Sequence, residues 1–333
     1  MTATQRRTLV VVGNGMVGHR LLELLVEGGA TTEWTIVTFC EESHLAYDRV
    51  GLSSFFSGST PDDLSLVAPG FFSSAGLEVH VGDAVESIDR EASTVTSTNG
   101  VVISYDALVL ATGSYPFVPP VEGNDLEGCF VYRTLDDLAA IRDYAEGRRV
   151  GAVVGGGLLG LEAANALVNL GLTTHVVEFA PRLMPVQVDD GGSAALRRRI
   201  EELGVVVHTS METTKLVATD EGAVSGFRFA DDSSLDAEIV VFSAGIRPRD
   251  QLARECSLEV GERGGIVVDE FCRTSDEKIY AIGECALAAG RVWGLVSPGY
   301  QMARVVADNL LAGDLLGGSD RFEGADLSTK LKL

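Results

Sequence analysis

Val150 to Glu178 reads V-G-A-V-V-G-G-G-L-L-G-L-E-A-A-N-A-L-V-N-L-G-L-T-T-H-V-V-E. The apolar run Val150–Val154 is followed by Gly155, Gly157 and Gly160 in G-x-G-x-x-G spacing, then by a helix-forming run, Leu161–Leu170, that stops at Gly171. A β-rich run, Thr173–Val177, ends in Glu178. This is strand, tight turn, helix, strand. In such a turn the first glycine permits a sharp exit from the strand. The second, without a Cβ, lets a pyrophosphate approach the backbone. The third allows close helix–strand packing. The helix N-terminus offers free N–H groups and the positive end of its dipole. Glu178, 18 residues past Gly160, stands where an acid accepts hydrogen bonds from the adenosine ribose and repels a 2′-phosphate, which favours NAD over NADP.

The pattern occurs twice. Thr8–Val12 reads as a strand, Gly13, Gly15 and Gly18 repeat the spacing, Met16–Glu27 reads as a helix closed by Gly28-Gly29, and Trp34–Phe39 is the next strand. Glu41 or Glu42 is the ribose candidate of this unit. Two units about 140 residues apart imply two dinucleotides or a duplicated fold, and an enzyme holding FAD and NAD together accounts for both.

Length and composition agree. The chain has 333 residues, 46% of them apolar, enough for two cores. Lys and Arg number 26 against 48 Asp and Glu, a net charge of −22. That argues against nucleic acid and anionic membrane surfaces as partners and is read mainly as solvated surface. Five cysteines, at 40, 129, 256, 272 and 285, form no C-x-x-C and no metal-ligand cluster. With no secretion signal at Met1–Arg7, they point to the reduced cytoplasm. No apolar stretch is long enough to span a bilayer.

Further candidates lie at strand ends. The stretch Tyr105–Leu110 runs into Ala111-Thr112-Gly113, and Ile239–Val241 precedes Ala244-Gly245-Ile246, each about 90 residues past its own glycine turn. Small residues there permit close backbone approach to a ligand. Arg49 and Ser53, in Tyr47-Asp48-Arg49 and Leu52-Ser53-Ser54, could reach flavin phosphate or ring atoms or could belong to an ordinary polar loop. Lys278–Ile282 reads as a buried strand ending in Gly283-Glu284; the acid could bind a ribityl hydroxyl or simply sit near the start of the helix Pro298–Leu311. The prolines 116, 119 and 120 look like a linker. Arg197-Arg198-Arg199 reads as a solvated helix face, with a cofactor or partner contact as the alternative.

Gly13-Asn14-Gly15-Met16-Val17-Gly18, Tyr47-Asp48-Arg49, Ala111-Thr112-Gly113, Gly155–Glu162 and Tyr280–Cys285 stand in the order of the pyridine nucleotide-disulfide oxidoreductase superfamily. Phe39-Cys40-Glu41-Glu42, Leu52–Phe56 and Glu178–Pro185 narrow this, so that the chain resembles the N-terminal flavoprotein region of assimilatory NAD(P)H nitrite reductase large subunits, essentially from end to end. The resemblance implies an α/β fold of two Rossmann-like, three-layer ββα dinucleotide-binding domains of the FAD/NAD(P)-binding type. Residues 1–115 and 243–315 would form the FAD domain, 116–242 the NAD(P)H domain, and 316–333 a truncated tail. Gly13, Gly15, Gly18, Glu41, Arg49, Thr112, Gly113, Gly283 and Glu284 would hold FAD. Gly155, Gly157, Gly160, Glu162, Glu178 and Gly245 would hold the nicotinamide cofactor. Met16, Val17, Glu42, Ser53, Val85, Ala111, Leu158, Leu159, Leu295 and Val296 complete the implied cofactor-binding set. No catalytic side chain and no metal ligand is implied.

The departures shape the expected activity. Nitrite reductase large subunits continue into iron–sulfur and sirohaem regions, and no cysteine set for a cluster is present. Residues 1–333 are therefore expected to take a hydride from NADH onto FAD and pass electrons to an iron–sulfur or sirohaem acceptor, and not to reduce nitrite alone. Many ferredoxin and rubredoxin reductases place a lysine near the flavin where this chain has Ser54. The cysteine patterns of disulfide reductases and peroxide-type NADH oxidases are missing, which argues against thiol chemistry. Two alternatives stay open: a stand-alone NADH-dependent ferredoxin or rubredoxin reductase, and a slow flavin- and NAD-binding protein that docks a partner.

Overall fold

A computed structural model describes residues 6–312, 320–326 and 328–331. Parts of the expected tail (residues 316–319, 327, 332 and 333) lie outside the described residues. The chain separates into two compact units. One gathers Met1–Asp48, Leu64–Tyr115 and Arg247–Ser328; the other gathers Arg49–Asp63, Pro116–Ile246 and Thr329–Leu333.

The first unit is built on a five-stranded parallel sheet. Its order is Ile279–Ala281, Ala107–Leu110, Arg7–Val12, Trp34–Cys40, Glu78–Val81. The strands read as apolar runs because both faces are covered: Leu9, Val10 and Val11 are fully buried, as are Ala107–Leu110. One covering layer is the antiparallel meander Val85–Asp89, Thr94–Ser97, Val102–Ser104, whose Val85, Ile88 and Val95 join the core. The helices Met16–Glu27 and Val296–Leu311 pack into the same core through Leu21, Leu22, Leu25, Met302 and Val306. They approach through glycines. A Cβ at Gly28 would collide with the Leu311 side chain, and one at Gly299 with Val17.

The second unit repeats the plan. Its parallel sheet has the order Val205–His208, Thr173–Val177, Val150–Val154, Ile239–Phe242, Cys129–Val131. Its meander is Thr213–Ala218, Val224–Phe229, Ser234–Asp236, packed through Leu216, Phe227 and Phe229. In both units the strand that enters the glycine turn (Arg7–Val12, Val150–Val154) lies between the strand that follows the turn's helix and a later one, so strand order reverses there. Ligands of open α/β sheets bind at such a point, outside the carboxyl ends of the strands. The expected α/β fold with two dinucleotide-binding units is the fold observed.

Four local readings change. The helix of the second glycine turn spans Leu158–Asn169, starting three residues before the expected Leu161. Its N-cap is Gly157, and Gly160 lies inside the first turn because it must pack on Gly155. The last helix starts at Val296 and not Pro298; the proline sits in the first turn, where its missing N–H has no partner to lose. The strand expected over Lys278–Ile282 is limited to Ile279–Ala281, and Gly283–Cys285 coil into a 3₁₀ turn. The segment Arg49–Ser57, expected as a loop, is a 3₁₀ helix and groups with the second unit. The reasons are local. Arg49 donates to the Arg133 carbonyl at 3.0 Å, Phe56 stacks on Tyr132 with centroids 6.2 Å apart, and the Arg142 guanidinium lies over Phe55.

Candidate functional site

The two glycine turns are built alike. Gly13 and Gly155 have φ of +107° and +118°, and a Cβ on either would overlap the carbonyl of Ala111 or Ser243, the residue just past the neighbouring strand. A Cβ on Gly18 or Gly160 would overlap the carbonyl of Gly13 or Gly155. These four positions close the turn against the sheet and admit no side chain. The middle position differs: a Cβ on Gly157 would meet nothing within 4 Å. Gly15 and Gly157 are N-caps without a side-chain cap, and neither helix carries an acid in its first turn. The first amides of both helices, including those at Met16, Val17, Leu158 and Leu159, are thus left without side-chain acceptors, and at Gly157 they stand beside space that a phosphate can enter.

The first unit adds an orphan donor. Asn14 is buried, its Oδ1 accepts from the Ala46 amide at 3.1 Å, and its Nδ2 has no partner. A buried amide donor without an acceptor is uncommon, and its place inside the glycine turn fits a bound dinucleotide. The sequence reading passed over Asn14; the asparagine between two turn glycines was the available signal.

The remaining first-unit candidates cluster at strand ends. Glu284 accepts from the Ser114 hydroxyl at 2.6 Å. Thr112 donates to the Arg249 carbonyl at 2.7 Å, and Gly113 accepts from the Arg249 amide at 2.9 Å. Glu41 forms an ion pair with Arg249, and Glu42 accepts from the Tyr47 hydroxyl at 2.7 Å. Ala111 and Val85 are buried. Leu295 caps the last helix and Val296 starts it, while Val17 packs against Gly283 and Gly299. Cys285 is fully buried, its thiol is pushed up by burial, and it donates to the Leu110 carbonyl at 3.3 Å. It is a structural thiol, not a nucleophile.

In the second unit Glu178 is fastened to the turn it serves. One carboxylate oxygen accepts from the Gly156 amide at 2.5 Å, the other from the Ala180 amide at 2.6 Å. Each oxygen keeps a further lone pair for a hydroxyl. Gly245, at φ +111°, faces open space and accepts from the Phe117 amide at 2.9 Å. Glu162 is buried on its helix and accepts from the Ser53 hydroxyl at 3.4 Å; Ser53 in turn accepts from the Tyr132 hydroxyl at 3.3 Å. Burial pushes Tyr132 up to about 12, with the Ser53 hydrogen bond opposing and the Glu162 charge adding to the rise, so it remains a protonated donor. Ser54, the position compared with a lysine, turns its hydroxyl to the Gly51 carbonyl at 2.8 Å. Ser53 is the residue that meets the carboxylate. Tyr132 was not legible in sequence, because 79 residues separate it from Ser53.

Among the described residues no group of three His, Cys, Asp or Glu side chains could hold a metal, and no helix is long and apolar enough to cross a membrane.

Comparison with known proteins agrees with this geometry. The chain is 57% identical to the nitrite reductase [NAD(P)H] large subunit of Klebsiella oxytoca over 98% of its own length and 33% of that protein. It is 32% identical to the rubredoxin–NAD(+) reductase of Alcanivorax borkumensis, over 91% of this chain and 78% of that one. A ferredoxin reductase structure from Rhodopseudomonas palustris superposes with a TM-score of 0.88 at 30% identity, covering 96% of this chain and 78% of the other. The chain thus spans about a third of the length of the nitrite reductases it matches. The profile of the pyridine nucleotide-disulphide oxidoreductase family matches residues 7–305. Two glycine turns at sheet switch points and a match across nearly the whole chain lead to one conclusion: this chain belongs to the pyridine nucleotide-disulphide oxidoreductase family.

Proposed function

We propose that this chain is an electron-entry module, an FAD-dependent NAD(P)H oxidoreductase that takes reducing equivalents from NADH and delivers them to an iron–sulfur or sirohaem acceptor, in the same polypeptide or a separate carrier. The observation that carries the proposal is the pair of uncapped helix N-termini behind closed glycine turns, one in each unit. When bound, FAD accepts a hydride from NADH and releases its electrons singly, which links a two-electron donor to one-electron carriers.

The residues have distinct tasks. In the first unit the amides after Gly15 and the free Nδ2 of Asn14 would hold the FAD pyrophosphate, and Glu284, aimed by Ser114, would bind a flavin hydroxyl. In the second unit the amides after Gly157 would hold the pyrophosphate of NADH. Glu178 would bind the adenosine ribose and repel a 2′-phosphate, its carboxylate already oriented by two amides. Glu162, held by Ser53, would present a carboxylate to the nicotinamide portion. The similarity to nitrite reductase large subunits supports sirohaem as the distant acceptor.

The test is an anaerobic NADH titration of the FAD-loaded chain, followed in the visible flavin band. Stoichiometric bleaching is expected. A flavin that stays oxidised in excess NADH overturns the proposal. The similarity to a rubredoxin reductase over 78% of that protein favours a second reading, direct reduction of a small carrier. NADH-driven reduction of purified ferredoxin or rubredoxin at about 1 per second or faster would establish it.

A further inference from the structure

We propose that Phe179 is the platform on which the adenine ring of the dinucleotide stacks. The inference rests on the reading above in one respect, the assignment of the second unit to a nicotinamide dinucleotide. It adds a recognition element for the base to those for ribose and pyrophosphate.

The observation is an exposed ring on an immobilised backbone. Phe179 is 73% exposed, the most exposed aromatic residue among those described. Such a ring ordinarily marks a loop with nothing to hold it. Here both neighbours are tied down. Glu178 donates its amide to the His208 carbonyl at 2.8 Å, and its carbonyl accepts from the Met211 amide at 3.0 Å. The Ala180 amide closes back on the Glu178 carboxylate, and the Ala180 carbonyl accepts from the Ser210 amide at 3.0 Å. Further along, Leu183 and Met184 are buried, and the Met184 amide donates to the Gly156 carbonyl at 3.0 Å. The loop is stitched to the glycine turn and to the end of the next strand, and the ring is left exposed between two tied residues. Among the described residues no ring or cation stacks on it. Exposed to this degree, its apolar face contributes little to the fold.

The position selects the ligand. Phe179 directly follows the ribose acid at the carboxyl end of Thr173–Val177. That strand lies on the side of Val150–Val154 away from Ile239–Phe242, the adenosine side of the switch point when Glu178 takes the ribose. The base is bonded to that same ribose. It must lie within about one residue of Glu178, and a planar aromatic base next to an unpartnered aromatic ring stacks. A protein partner would also cover an exposed phenylalanine, but nothing in that case would place it beside the ribose acid.

The experiment uses the full FAD-loaded chain and ADP-ribose, measured by calorimetry, which requires no hydride transfer. Phe179→Ala is expected to weaken ADP-ribose about fivefold or more with an unchanged melting temperature. Phe179→Leu, which keeps bulk without a π face, should fall between alanine and wild type, and Phe179→Trp should bind at least as well as wild type. The tryptophan variant gives a separate signal. Trp34 and Trp293 are buried in the first unit at 2% and 7% exposure, so quenching of indole fluorescence by ADP-ribose would report stacking at position 179. Wild-type affinity in Phe179→Ala, or equal losses in the leucine and tryptophan variants, overturns the assignment. A wild-type chain that binds no ADP-ribose overturns it together with the reading it rests on. Phe179-dependent ADP-ribose binding without flavin reduction by NADH leaves it standing and overturns only the electron-transfer reading.

Discussion

At the scale of residues, glycines that look equivalent in sequence carry different burdens. Gly157→Val places a side chain in open space at a φ of −83°, so the fold should lose no more than about 1 kcal/mol while ADP-ribose binding is abolished. Gly160→Ala pushes a Cβ into the Gly155 carbonyl and should destabilise by about 2 kcal/mol or more. Thermal melts alongside calorimetry separate the two, and a Gly157→Val chain that binds normally would remove the pyrophosphate from that turn. Glu178→Arg should raise the preference for NADPH over NADH at least about tenfold, roughly 1.4 kcal/mol. Absolute affinity should fall as well, because the variant also loses the hydrogen bonds from Gly156 and Ala180. Unchanged NADPH-to-NADH ratios of kcat/KM would take Glu178 out of the site.

At the scale of elements, caps divide the helices by task. Leu135–Ala145 has a complete capping box: Thr134 accepts from the Asp137 amide at 3.1 Å, and Asp137 accepts from the Thr134 amide at 2.8 Å. Thr134→Ala should cost about 1 kcal/mol, read as a lower urea midpoint at unchanged slope, and should leave ADP-ribose affinity alone. Met16–Glu27 and Leu158–Asn169 have no side-chain cap. Their orphan amides are what a phosphate would satisfy, so a ligand should stabilise these helices where a cap stabilises the other. Hydrogen exchange at the first amides of Leu158–Asn169 should slow on adding ADP-ribose, and exchange that does not change would contradict this.

At the scale of the whole molecule, buried and half-buried histidines in both units shape how stability depends on pH. His19 in the first unit is buried, and burial lowers its pKa. His175 and His208 in the second stack with ring nitrogens 3.0 Å apart; burial lowers both, and the neighbouring His208 and Arg197 charges add to the respective shifts. A histidine held below its unfolded value contributes stability that is full above about pH 6.5 and is lost as pH falls through the unfolded and then the folded pKa. Melting temperature should therefore fall between pH 7.5 and 5.5. The double substitution His175→Gln, His208→Gln should flatten that fall, and a parallel curve would show that the pair does not contribute.

Much of this protein was legible in the chain itself. The apolar runs, the paired G-x-G-x-x-G turns and the acid at Glu178 are local patterns, and local chemistry forces their conformation; the α/β fold and both nucleotide units follow from them. Helix starts were read late at Leu161 and Pro298 because glycine and proline disfavour helix interiors, whereas here both lie in first turns, where packing and absent hydrogen bonds make them acceptable. The grouping of Arg49–Asp63 with the second unit, the Tyr132–Ser53–Glu162 chain, the orphan Nδ2 of Asn14 and the exposed ring of Phe179 depend on residues far apart in sequence, or on what is left uncovered once everything else has packed. Sequence alone determined which backbone turns can meet a dinucleotide, because spacing and the absence of a Cβ decide that. Only the tertiary structure decided which side chains stand around those turns, because burial and partnership are properties of the packed chain.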